Sequence, residues 1–218
     1  MKQIITIIIS SILLIACNGK AQTNQNATNK FKDTPKAKAL LEKFKKQEHR
    51  LEINDCEIVY NGKSFFLENT LEEVEAILGK PDFEHKNGSM WSKSSIDARI
   101  KNGKVFNIYI YIHEGGYKDI IKPNSNIILI NGVPLTKDML LGDFLNLSNY
   151  SFDDLYIDNH SFYLKPENCN LSDLHIYFDS QPFYHYTGNG HMRIRGNFDD
   201  SRTNPINTIS VFQHNDNK

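Results

Sequence analysis

The chain has 218 residues, 39% hydrophobic and 23% charged, which is enough for one or two globular domains with a real core. Its formal charge is −1, and with Lys2 set aside 24 basic residues face 26 acidic ones. That balance lacks the clustered basic excess that nucleic acid requires, so no nucleic-acid partner is expected.

The first twenty residues read MKQIITIIISSILLIACNGK: one Lys, an apolar run from Ile4 to Ala16, then Cys17. Thirteen residues are too few for a bilayer core, which takes roughly 20 in a helix, but they suit the apolar region of a secretory signal. Leu14 to Cys17, LIAC, resembles the lipobox of bacterial lipoproteins, with small Ala16 before the Cys and polar Asn18 after it. That resemblance implies cleavage before Cys17, acylation of its thiol, and a place in the cell envelope facing the periplasm or the cell surface. Acyl chains contribute about 0.8 kcal/mol per buried methylene, so several on one residue hold a protein on a membrane. An ordinary signal peptide with an incidental Cys is the alternative.

Two cysteines remain, Cys56 and Cys169, one in each half of the chain. An exported compartment permits a disulfide between them, and two buried free thiols fit equally. The sequence has no Cys-x-x-Cys, so neither a redox motif nor a thiolate zinc site is indicated.

NGKAQTNQNATNKFKD, residues 18–33, has a single aromatic and reads as a tether. Thr34 then starts a helix as N-cap with Pro35 at its first position. Ala37, Leu40, Leu41, Phe44 and Leu51 fall on one stripe at helical spacing, and Lys36, Lys38, Lys43, Lys45, Lys46 and Arg50 occupy the rest. The stripe suits packing on the domain with the lysines solvated, or contact with anionic headgroups beside a lipid anchor. CEIVYNG is a strand closed by Asn61-Gly62, and Phe65 to Leu67 returns as a hairpin arm. In TLEEVEAILGKPD, residues 70–82, Thr70 and Glu73 form a capping box, and Leu71, Val74, Ile77 and Leu78 make the buried stripe. Gly79 is expected as a left-handed C-cap, with Pro81 barring continuation.

The same grammar returns 70 residues on. IILINGVPL around Asn131-Gly132 repeats IVYNGKSFF, and Leu141, Phe144 and Leu147 fall where Leu71, Val74 and Ile77 fell. Trp91 and Ile96 have counterparts in Phe152 and Ile157, and each half reaches an alternating strand, FNIYIYIH or LHIYFD. The expectation is an α+β protein of two tandem copies, each strand–turn–helix–antiparallel strands, with helices on one face of antiparallel sheet. The chain divides into a signal peptide (1–16), a tether (17–33), an amphipathic helix (34–51), a first module (52–118) and a second module with a C-terminal hairpin (122–215).

Strand alternation puts Ile108, Ile110 and Ile112 on one side, and Leu174, Ile176 and Phe178 likewise in the second copy. The other side carries Tyr109, Tyr111 and His113, then His175 and Tyr177, with Arg193 and Arg195 in a later strand. Tyr and Arg combine area with few rotamers and a polar tip, so these residues are the candidate protein-binding face. Ordinary cross-strand pairing on a solvated sheet is the plainer explanation.

Chemistry has a thinner basis. No phosphate-binding loop, GxSxG elbow or HExxH helix is present. His185 and His191, across a hairpin, suit a metal only if a third ligand converges on them, and no spacing requires that. Asp153-Asp154 and Asp199-Asp200 are adjacent acids, which in strands point to opposite sides. No cofactor or catalytic residue is expected.

TLEEVEAILGKPD resembles the helix-end phrase of envelope lipoproteins of the SmpA/OmlA (BamE) type, where a helix ending in Gly-x-Pro precedes a β-meander. The tandem plan is similar to that of β-lactamase inhibitory protein, whose repeats present a concave sheet to an enzyme. Both resemblances imply a non-catalytic binding scaffold, and neither assigns a functional residue. The expected protein is a lipid-anchored envelope scaffold for a protein partner. The alternatives are a periplasmic inhibitor or immunity protein, a ligand-carrying lipoprotein, and a metal-dependent hydrolase.

Overall fold

The computed structural model describes residues 30–55, 57–112, 124–150, 155–158, 161–164, 174–180, 184–186, 192–194 and 205–213. Helix α1 (Pro35–Lys45) begins as its sequence directs: the Thr34 hydroxyl accepts the Ala37 N–H, and Pro35 has no N–H to leave orphaned. Ala37 and Phe44 are buried, and Leu40 and Leu41 pack with Phe44, Ile127 and Leu129. The helix ends at Lys45, short of the expected boundary at residue 51. Gln47 terminates the segment by clipping both backbone groups of Ile127, and Leu51, expected on the helical stripe, opens β1 (Leu51–Asn54) instead.

Two Asn-Gly hairpins follow the same recipe. β2 (Glu57–Tyr60) and β3 (Lys63–Phe66) turn on Asn61-Gly62; β8 (Ile128–Ile130) and β9 (Val133–Leu135) turn on Asn131-Gly132. Both turn residues have positive φ in each hairpin, the twist that matches paired strands. β1 joins the hairpins, antiparallel to β2 and parallel to β8, giving one mixed sheet in the order β3-β2-β1-β8-β9. Asn131 locks the seam: its Oδ1 accepts the Asp55 N–H, and its Nδ2 donates to the Asp55 carboxylate and the Tyr150 hydroxyl.

Helix α2 (Leu71–Leu78) carries the full capping box, with Thr70 Oγ1 accepting the Glu73 N–H and Glu73 Oε2 accepting the Thr70 N–H. Gly79 closes it at φ 83°, ψ −174°, not the left-handed cap expected. This extended, positive-φ region is open only to Gly, and it aims the Gly79 carbonyl at the Trp91 indole N–H, 2.8 Å away. Helix α3 (Leu141–Leu147) has only half a box, because its N-cap Leu140 has no oxygen and Asp143 alone reaches back.

The strands β4 (Phe83–His85), β5 (Gly88–Trp91), β6 (Ile96–Lys101) and β7 (Lys104–Tyr111) form a meander. β10 (Leu155–Asp158), β11 (Ser161–Leu164), β12 (Leu174–Ser180) and β15 (Ile206–Gln213) join it in one antiparallel sheet, ordered β10-β11-β12-β15-β7-β6-β5-β4. β13 (Tyr184–Tyr186) and β14 (Met192–Ile194) make a separate hairpin. Ile108, Ile110, Ile112, Ile209 and Val211 enter one apolar core with Ile53, Ile58, Ile128 and Ile130, and with Ala37, Val74 and Phe144 of the three helices. Each such aliphatic side chain contributes about 1.5–3 kcal/mol on burial. Among the described residues the protein is therefore α+β, with one mixed sheet, one large antiparallel sheet and the separate β13–β14 hairpin.

Candidate functional site

Tyr109 and Tyr111, two of the expected binding residues, lie on the second side of the large sheet, and on β5–β7 that side is not simply wet. Asp97 of β6 is fully buried, Met90 of β5 likewise, and Tyr111 of β7 is 7% exposed, while Tyr109 is half-buried. Three donors converge on the Asp97 carboxylate. His85 Nε2 lies 3.0 Å from Oδ1, Arg99 Nη2 lies 3.0 Å from Oδ2, and the Tyr111 hydroxyl donates to Oδ2 at 3.3 Å. His85 Nδ1 accepts the Asn87 N–H at 3.3 Å, so the neutral ring carries its proton on Nε2 and gives it to Asp97. Burial, reinforced by the Asp97 charge, pushes the Tyr111 phenol well above its usual range, so it stays protonated and donates.

Local sequence builds this cluster. Asp97 and Arg99, two apart in one strand, share a side, while Ile96 and Ala98 go to the core. His85 ends β4 opposite Gly88, which in turn stands opposite Arg99. A Cβ on Gly88 would run into the Ala98 carbonyl, so only glycine lets β5 and β6 approach this closely. Aromatic rings frame the charges: the Arg99 guanidinium lies 5.5 Å from the Tyr109 ring centroid, and Tyr109 and Tyr111 stack at 6.3 Å. Phe83, 36% exposed, stands beside His85 at the outer rim. As chemistry, an Asp–Arg ion pair joined by a His and a Tyr donor makes an enclosed hydrogen-bonded platform. The His85 ring has hydrogen bonds at both nitrogens, which fix its orientation.

The register extends the platform across all eight strands. Phe83, Met90, Asp97, Tyr109, Ser210, Tyr177, Tyr163 and Tyr156 are directly opposite one another in turn. His175 lies in the neighbouring row, opposite Phe212, which faces Asn107. The structure thus brings Tyr109, Tyr111, His175 and Tyr177 into one sheet. Arg193 sits apart in the β13–β14 hairpin, opposite His185. His113, Arg195, His191, Cys17, Cys56 and Cys169 lie outside the described residues. Sequence reading passed over His85, Asp97 and Arg99. The signal available was the opposite-charge pair at Asp97 and Arg99, alternating with apolar Ile96, Ala98 and Ile100.

Residues 50–144 match the model of a domain of unknown function (DUF7738), a stretch that opens just before β1, contains the whole Asp97 cluster and ends within α3. No curated protein and no solved structure matches the chain. Among the described residues, no helix is long and apolar enough to cross a membrane.

Proposed function

We propose that the protein is a lipid-anchored cell-envelope scaffold that binds a protein partner through the second side of its eight-stranded sheet. The observation that carries the binding reading is the cross-strand row of Phe83, Met90, Asp97, Tyr109, Ser210, Tyr177, Tyr163 and Tyr156. A row this rich in aromatics, set on rigid strands and braced by an ion pair at Asp97, has the composition of an interface core. The anchor reading is supported by the Ile4–Ala16 run and LIAC ending at Cys17.

We also infer two copies of one unit, which favours an inhibitor or immunity protein as the particular form of scaffold. Each copy has an Asn-Gly hairpin followed directly by a short helix, α2 or α3. Each helix cap bridges to the start of a central strand: Thr70 to Lys104, the first residue of β7, and Leu140 to Pro205, just before β15. The sheet then reads as two four-stranded meanders joined at β7–β15, where Tyr109 faces Ser210. On this reading the partner of FNIYIYIH is the last strand, INTISVFQ, and LHIYFD answers to β6. The β13–β14 hairpin interrupts the second meander.

Two experiments test these readings. Cys17→Ser should abolish incorporation of labelled palmitate and release the chain from membranes; retained label would sink the anchor. Capture from native membranes should recover a partner whose yield falls about tenfold with Phe83→Ala, Tyr109→Ala and Tyr177→Ala combined, as loss of interface anchors would produce. An unchanged partner set counts against the sheet face.

A further inference from the structure

We propose that the lysine face of α1 docks on an anionic lipid surface, so that the domain sits on the membrane in one orientation and does not swing freely on its anchor. The inference rests on acylation of Cys17. Only twelve residues lie between Cys17 and Lys30, so the thirteen Cα–Cα steps reach at most about 45 Å. The chain is then fastened to the domain, with Phe31 bridged to Ser148 and the Lys32 N–H donating to the Leu147 carbonyl. α1 is the first element after that point.

Residues 30–50 carry eight Lys or Arg against three Asp or Glu, while the rest of the chain carries 17 against 23. The molecule is therefore polarised, positive at the end the anchor holds and negative beyond it. An anionic surface attracts the first part and repels the second, which selects an orientation. Lys32, Lys36, Lys38, Lys43, Lys45 and Lys46 are all exposed. Asp143, Asp33 and Glu42 offset part of this charge through pairs with Lys36, Lys38 and Lys45. Lys43 and Lys46 flank Glu42 and Lys45 on the outer side of the helix.

The mode of contact follows from packing. The apolar stripe of α1 is committed to the domain, with Ala37 and Phe44 buried and Leu40 and Leu41 against Ile127 and Leu129. The only fully exposed apolar residues of the helix are small, Pro35 and Ala39, too little to insert between acyl chains. The contact is electrostatic, peripheral and sensitive to salt, unlike that of an inserting amphipathic helix.

The test uses the full chain, processed in a bacterial host and reconstituted into vesicles of phosphatidylglycerol with phosphatidylcholine, or of phosphatidylcholine alone. Mass spectrometry reads the acyl mass on Cys17 and the acetylation rate at each lysine. Lys36, Lys43 and Lys46 should react roughly fivefold more slowly on the anionic vesicles at low salt, and the protection should disappear at about 0.5 M salt. Exposed Lys63 and Lys80 should be unaffected, and Lys43→Gln with Lys46→Gln should remove the protection at Lys36. Equal rates on both vesicles with Cys17 acylated would overturn the docking and leave the anchor standing. Protection that survives high salt would replace it with insertion. A Cys17 without acyl mass would overturn the anchor and the docking with it.

Discussion

At the scale of single residues, Asp97 anchors a buried ion-pair network. Its carboxylate is fully buried and answers a guanidinium, an imidazole N–H and a phenol. Asp97→Ala leaves the Arg99 charge without its buried counter-ion, and we expect a loss of about 3–5 kcal/mol in urea unfolding. Tyr111→Phe removes one neutral donor and should cost about 1 kcal/mol. Glu52 works in the opposite sense. Burial pushes its carboxyl above the usual range, with the Asn54 side chain opposing. A folded pKa raised above the unfolded one gives stability that is present at low pH and lost as pH rises through the folded pKa. Glu52→Gln should therefore raise Tm at pH 7 and change it little near pH 3; no gain at pH 7 would contradict this account. Asp82 has the reverse sign, held below the usual range by the Ser92 hydroxyl and N–H, so its contribution is lost in acid.

At the scale of elements, the two short helices share a place in the chain but not a terminus. α2 has both halves of its capping box, and Thr70→Ala should cost about 1 kcal/mol by thermal melting. α3 starts on Leu140 and keeps only the Asp143 contact, at 3.3 Å, so its anchorage comes from burial of Leu141, Phe144, Leu145 and Leu147. Phe144→Ala should accordingly cost far more than Asp143→Asn, about 3–5 kcal/mol against under 1. Hydrophobic spacing located both helices, and residue chemistry located the cap of α2. The end of α1 was less legible, because Leu51 continues its periodicity by chance while Gln47 and the parallel pairing to β8 draw the chain into a sheet.

At the scale of the whole molecule, the junction of β7 and β15 holds the large sheet together. Ile108 and Ile110 stand opposite Val211 and Ile209 there, all fully buried. A chain ending at residue 150 would present β7 as a bare edge with half its apolar pairing removed. We expect that truncation to elute as an oligomer or aggregate in size-exclusion chromatography, although it contains the whole stretch matched to the domain of unknown function. A monomeric, fully folded product would show that the first meander closes without its partner.

The order of residues alone determined what depends on near neighbours. The Thr34 and Thr70 caps, the Asn61-Gly62 and Asn131-Gly132 turns, the α+β composition and the alternation of Ile108, Ile110 and Ile112 all follow from interactions within a few positions. Only the tertiary structure decided which strands lie side by side, because a short strand pairs with equal local chemistry on either neighbour. It alone placed β1 parallel to β8 across 76 residues at the Asp55–Asn131 contact. It also decided what the second side of the sheet is. Alternation sends Tyr111, Asp97 and Arg99 away from the main core, but it carries no information on what screens that side from water. Burial there turns an expected exposed tyrosine into the donor of an enclosed ion-pair network, and leaves Tyr109 and Phe83 as its more exposed rim.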